Sequence, residues 1–260
     1  MTHVTRTVKG IEAAKNAARQ AAKVAAKTAR SDTPRRDDDG RSTRWSAHRE
    51  ARRAELVEAA VAAIDHLGPL AGVEDIAAAA GVSKPVLYRY FSDKADLHTA
   101  VGTWGADLVL ERLLPAFVAD GTLRERVDLA CEAYLAVIEE HPNVFLLLVQ
   151  HRVGGEADPL ADGKAAIAAA IARVMGDALR ELGVDAGGAE PWAHGLVGLG
   201  LSTGEWWLTR RTMSRSAVAT YLSSFVWHAL EGISQSYGVA VDGELRLVGP
   251  PPVEQEGRGR

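Results

Sequence analysis

From Trp45 onward, apolar residues recur at three- and four-residue spacing, the period of a helix with one buried face. Leu56, Val57, Ala60, Val61, Ile64 and Leu67 make the first stripe, which stops at Gly68-Pro69. A short segment from Glu74 to Ala80 follows, then Gly81-Val82-Ser83, then a second short segment from Lys84 to Phe91. Ser92 is read as the cap of a longer helix that begins with Asp93 and carries Leu97, Val101, Trp104 and Leu108, with Pro115 ending or bending it. Further helices are predicted over 122–140, 142–152, 160–182, 190–211 and 214–237. The only stretch with a strand-like alternation, a doubtful one, is Glu244 to Val248, ahead of Gly249 and three prolines. No internal repeat is visible. The expected fold is all-α, with a small N-terminal domain over 45–105, a larger helical body over 106–240, and a tail over 241–260 that reads as disordered.

Charge changes this picture at the N-terminus. The 260-residue chain is 47% hydrophobic and carries a net charge of −4, which at face value argues against a nucleic-acid partner. Yet residues 1–53 hold ten Arg and four Lys against six acids, a net +8, so the remainder carries −12. Such asymmetry suggests contact with nucleic acid or a membrane surface at one end. Residues 1–44 contain too few large apolar side chains to bury a core and read as a basic arm, disordered in isolation. Within it Lys15, Arg19, Lys23 and Lys27 recur every fourth residue and would form one basic stripe on a helix. Like charges at that spacing repel, so such a helix needs an anion to neutralise it. The stripe reads equally as a non-specific DNA arm and as a solvated tail. Pro34 to Gly40 reads as a linker. No apolar run is long enough to span a bilayer and no apolar signal core opens the chain, so the expected place is the bacterial cytoplasm, without membrane contact.

The chemistry concentrates around Gly81. Gly81 permits a sharp turn through positive φ. Val82 points to the core, Ser83 suits the N-cap of the next helix, and Pro85 is tolerated in its first turn. Two short helices joined this way form a helix-turn-helix, whose second helix enters the DNA major groove. Lys84 and Arg89 supply donors for base edges; Tyr88 and Tyr90 supply phenols for phosphates. Lys94 opens the next helix, where the helix dipole disfavours a cation unless a phosphate is its partner.

The run from Ile76 to Leu97, IAAAAGVSKPVLYRYFSDKADL, closely resembles the signature of the tetracycline-repressor (TetR) family of transcriptional regulators. The resemblance is specific over about residues 47–105 and beyond that rests on helix number and length. It implies a homodimer binding a palindromic operator in double-stranded DNA, as a repressor released by a small-molecule effector held in a C-terminal ligand-binding and dimerisation domain. It implies that Lys84, Pro85 and Arg89 lie nearest the bases and that Ser83, Tyr88, Tyr90 and Lys94 hold phosphates. The chain departs from the family pattern at Gly72-Val73-Glu74-Asp75, where many members open the first short helix with Thr or Ser. Arg44, Trp45 and Arg49, ahead of the first long helix, are candidates to supply backbone contacts instead.

Other signals are weaker. Trp104, Phe145, Trp206 and Trp207 are candidate lining for a pocket that takes an elongated apolar ligand, with a long-chain acyl-coenzyme A as the first guess; the same aromatics also suit a plain core. Gly200-Leu201-Ser202-Thr203-Gly204 matches a serine-hydrolase nucleophile pattern, but that chemistry needs a strand before the turn and a His/acid pair, so Ser202 is not assigned as a nucleophile and no enzyme is expected. Gly195, Gly198, Gly200 and Gly204 are read instead as thinning one helix face for packing. His141, His151, His194 and His228 lie at no ligand spacing, so no metal or cofactor is expected. Cys131, the sole cysteine, sits in the apolar pattern of its helix and reads as an inert thiol. A nucleoid-associated protein that binds DNA without sequence preference, through its arm, is the remaining alternative.

Overall fold

A computed structural model describes residues 39–150, 158–181 and 183–238, with the side chains of 39–47 and 118 excepted. The basic stripe from Lys15 to Lys27, His151 and the stretch from Glu244 to Val248 lie outside these residues. The described residues form nine helices and no strand. They are α1 (Asp39–Leu67), α2 (Val73–Ala79), α3 (Lys84–Leu87), α4 (Lys94–Val118), α5 (Leu123–Glu140), α6 (Pro142–Gln150), α7 (Ala161–Glu181), α8 (Ala189–Arg210) and α9 (Arg215–Ser236).

The first stripe works as its spacing predicts. Leu56, Val57, Ala60 and Ile64 of α1 are buried against Ile76 and Ala77 of α2, Leu87 of α3, and Phe91, Leu97 and Val101 at and within α4. This head core does not stop at the head. It continues into Val144, Leu147 and Leu148 of α6 and Leu160 ahead of α7. A second core joins Val127, Cys131, Leu135 and Ile138 of α5 to Trp207 and Leu208 of α8 and Val218 and Leu222 of α9. Helix α7 packs along α8 and α4, while α5 packs on α4 and α9.

Several boundaries differ from the sequence reading. Helix α1 begins at Asp39, inside the stretch read as a linker. Asp93, not Ser92, caps α4: its Oδ1 accepts from the Asp96 amide at 2.8 Å, while the Ser92 amide donates to Asp96 Oδ2 at 2.9 Å. Pro115 neither ends nor replaces a turn of α4, which runs on to Val118. The carbonyl it cannot bond belongs to exposed Glu111, where water can serve it. The α5 start is a capping box, in which Thr122 Oγ1 accepts from the Glu125 amide at 3.2 Å and Glu125 Oε2 accepts from the Thr122 amide at 2.7 Å.

Candidate nucleic-acid interface and effector cavity

The turn between α2 and α3 is built by the glycine that sequence singled out. Gly81 has φ +65°, and the amides of Gly81 and Val82 return to the carbonyls of Ala78 and Ala77, both at 3.0 Å. Ser83 takes the extended conformation of an N-cap without using its side chain for the cap, and Pro85 lies in the first turn of α3. Ser83 itself is exposed. Helix α3 is shorter than the predicted segment: Tyr88 is its C-cap, and Arg89 and Tyr90 form tight turns whose amides reach Val86 and Leu87 carbonyls at 3.1 and 3.0 Å.

Most of the candidate DNA contacts therefore sit on α3 and the turn that leaves it, with Lys94 opening α4 and Arg44 and Arg49 on α1. Ser83, Lys84, Pro85, Tyr88, Arg89 and Lys94 are exposed, whereas Tyr90 is half-buried against the head core. Lys84 is not a free cation: its Nζ donates to Glu74 Oε1 of α2 at 2.5 Å. That hydrogen bond and the charge of Lys84 hold the Glu74 carboxyl below its ordinary value. Arg49 of α1, read as a phosphate ligand, donates from Nη2 to the Arg89 carbonyl at 3.0 Å. Arg44 lies on α1 as well, with its side chain outside the described atoms.

A brace that sequence reasoning missed fixes this turn to the body of the head. Arg53 of α1 donates from Nη1 to the Tyr90 carbonyl at 2.7 Å and from Nη2 to Asp96 Oδ1 at 2.6 Å, and its guanidinium lies 4.3 Å from the Phe91 ring centroid. Burial works against ionisation of Asp96, but the hydrogen bonds from Arg53 and the Ser92 amide outweigh it, and the carboxyl lies below its ordinary value.

Beneath the head the body forms a cavity of about 510 Å³, within the range of small-molecule sites. Helices α4 to α9 all contribute to its wall, which is overwhelmingly apolar. Trp104 and Phe145 line it. Trp206 and Trp207 do not. Trp207 is 1% exposed in the second core, where its Nε1 donates to the Met213 carbonyl at 3.0 Å, and Trp206 is 44% exposed on the outer face of α8. The phase of α8 turns Trp207 into the packing with α5 and α9, and Trp206, about a hundred degrees further round, falls on the exposed side.

The glycines of α8 also divide. Gly200 and Gly204 press on α5: a Cβ at Gly204 would stand 2.8 Å from Ile138 and 2.9 Å from Phe145 and Tyr134. Gly195 and Gly198 meet nothing among the described residues and are exposed, like Ser202 and Trp206. Ser202 is thus a helical surface residue, with no strand before it among the described residues. Among the described residues no group of three metal-ligating side chains converges. Burial pushes the Cys131 thiol up to about 12, with the Asp128 charge adding to the effect, so it stays protonated at neutral pH.

One histidine links the two regions. His141, at the end of α5, lines the cavity and stacks edge-on to Trp104 with centroids 5.0 Å apart. Its Nδ1 lies 2.6 Å from Asp65 Oδ2 on α1, and the neighbouring Asn143 donates to the Asp65 carbonyl at 2.9 Å. Val144, Leu148 and Leu160 belong at once to the head core and to the cavity wall.

These features agree with what the chain resembles. Residues 56–101 match the family described as bacterial regulatory proteins, tetR family, and residues 112–240 match the tetracyclin repressor-like C-terminal domain. An HTH-type transcriptional regulator of Mycobacterium tuberculosis is 35% identical over 202 residues, which cover 77% of this chain and 86% of that protein. The HTH-type transcriptional activator FasR of Mycolicibacterium smegmatis is 30% identical over 187 residues, covering 71% of this chain and 85% of FasR. A tetR-family regulator from Streptomyces coelicolor superposes with a TM-score of 0.56 at 25% identity, over 72% of this chain and 83% of that one. The regulator FadR from Bacillus subtilis, solved in complex with stearoyl-CoA, shares the fold at 16% identity, with a TM-score of 0.55 over 66% of this chain and 96% of its own. With a helix-turn-helix presenting exposed Lys84 and Arg89 above a helical body, the chain belongs to the tetR family and is a DNA-binding transcriptional regulator.

Proposed function

We propose that the protein binds a palindromic operator as a homodimer and that a long-chain, lipid-like effector of the acyl-coenzyme A type, held in the body cavity, releases it. Lys84, Pro85 and Arg89 read bases, while Ser83, Tyr88, Tyr90, Lys94, Arg44 and Arg49 hold phosphates. The exposed Trp206 of α8 and Tyr221 and Phe225 of α9, the last two 67% and 65% exposed, support a dimer seam beside the bare glycines of α8.

The observation that carries the release mechanism is the shared wall. Val144, Leu148 and Leu160 pack under the head and around the cavity, so a guest that moves them also moves the seat of α1. Interiors are close-packed, and a chain inserted there is accommodated by helix displacement rather than compression. Two operator half-sites lie about 34–36 Å apart, one helical turn, so a changed head spacing loses one of them. Release raises expression where the bound protein represses and lowers it where, like FasR, it activates.

Selection of duplexes from a random DNA library by the full-length protein tests this reading. A two-fold symmetric sequence should be enriched, and saturating palmitoyl-CoA should raise its Kd about tenfold or more while hexanoyl-CoA leaves it unchanged. Enrichment of no sequence would favour the nucleoid alternative; indifference to palmitoyl-CoA would remove the release mechanism.

A further inference from the structure

Arg126 of α5 lines the cavity, and its Nε is buried without a hydrogen-bond partner among the described residues. No ion pair or cation–π contact involves it there, in contrast to Arg124, which is held by Asp128. A guanidinium is always charged, and leaving one of its donors buried and unmatched is costly. The other basic side chains on the wall, Lys164 and His141, each already have a carboxylate, Asp158 and Asp65, and burial keeps the Cys131 thiol and the Tyr134 phenol neutral. Among the described residues no Asp or Glu lines the cavity. An apolar wall with one unmatched cation and no acid complements an amphiphile, a long hydrocarbon carrying an anion.

We infer that Arg126 is the anchor for the anionic group, a carboxylate or a phosphate, of a long-chain ligand whose hydrocarbon fills this cavity. The inference rests on the cavity being the effector site. Arg126 stands three residues into α5, near the helix N-terminus, whose dipole also favours an anion. His141 and Trp104 mark the other end of α5, fifteen residues along and therefore about 22 Å away at 1.5 Å per residue. The anion is held at the Arg126 end, and the chain runs toward the residues that touch the head.

Titration calorimetry on the full-length protein with palmitate, palmitoyl-CoA and hexadecanol tests the anchor. The unaltered protein should bind at least one of the charged ligands about tenfold to a hundredfold more tightly than the alcohol. Arg126→Gln should remove that advantage without changing hexadecanol binding or thermal stability, and Arg126→Lys should keep part of it. Loss confined to palmitate identifies a carboxylate; loss confined to palmitoyl-CoA identifies the coenzyme phosphates. Unchanged affinity of Arg126→Gln for both charged ligands, with hexadecanol still bound, overturns the anchor alone. Failure of all three ligands to bind the unaltered protein overturns the cavity reading and the anchor with it.

Discussion

Lys84 presents a competition between a partner within the head and one on DNA. Its ammonium pairs with Glu74, and both side chains are well exposed. An exposed pair of this kind adds little to stability. Against DNA, however, Glu74 acts twice: it occupies a donor and it places a negative charge beside phosphates. Glu74→Gln should therefore tighten binding to every duplex and steepen the dependence of log K on log salt by about one counterion. Arg89→Ala should act differently, costing about 1–3 kcal/mol on the preferred site and relaxing preference at one base position. Fluorescence anisotropy on a matched and a scrambled duplex, over a salt series, checks both; equal losses on the two duplexes for Arg89→Ala would take Arg89 out of base reading.

At the scale of elements, the recognition turn is held by α1 as well as by its own backbone hydrogen bonds. Arg49 and Arg53 take the carbonyls of Arg89 and Tyr90, and Arg53 also takes Asp96. Because the folded carboxyl of Asp96 lies below its ordinary value of 3.8, its contribution to stability is full above that value and is lost as pH falls through the lower folded value. Asp96→Asn should destabilise the head by about 1 kcal/mol at neutral pH, given that the pair is one-third exposed, and should flatten the acid limb of its stability. Thermal unfolding between pH 2.5 and 7 reads this; an unchanged acid limb would show that Asp96 bears no folding-linked charge. The helices themselves were legible because period and turn residues are local: the stripe from Leu56 to Ile64 and the glycine at 81 stand where the pattern put them. The brace was not legible, since its partners lie 37 and 43 residues apart in the chain. The length of α3 was misread for the same reason, its continuation being a turn stabilised from α1.

Across the described residues, head and body share an apolar core and polar ties at Asp65. The tie, His141 with Asp65, escaped a sequence reading that sought histidines at metal spacing, whereas its partner stands 76 residues away. The cavity was half legible: Trp104 and Phe145 face it, but Trp206 and Trp207 are divided between surface and core by their helical phase. Arg126 did leave a signal, a charge four residues before Ala130 and eight before Tyr134 on the cavity-facing side of α5. If the cavity and the DNA surface are two ends of one equilibrium, each ligand must weaken the other by the same factor. Asp65→Ala should keep both binding events and shrink that factor. The decisive measurement is the affinity of the full-length protein for palmitoyl-CoA with and without saturating operator duplex. Coupling through the shared core predicts that bound DNA weakens palmitoyl-CoA by the same factor, about tenfold or more, by which palmitoyl-CoA weakens DNA; equal ligand affinity in the two conditions would contradict it.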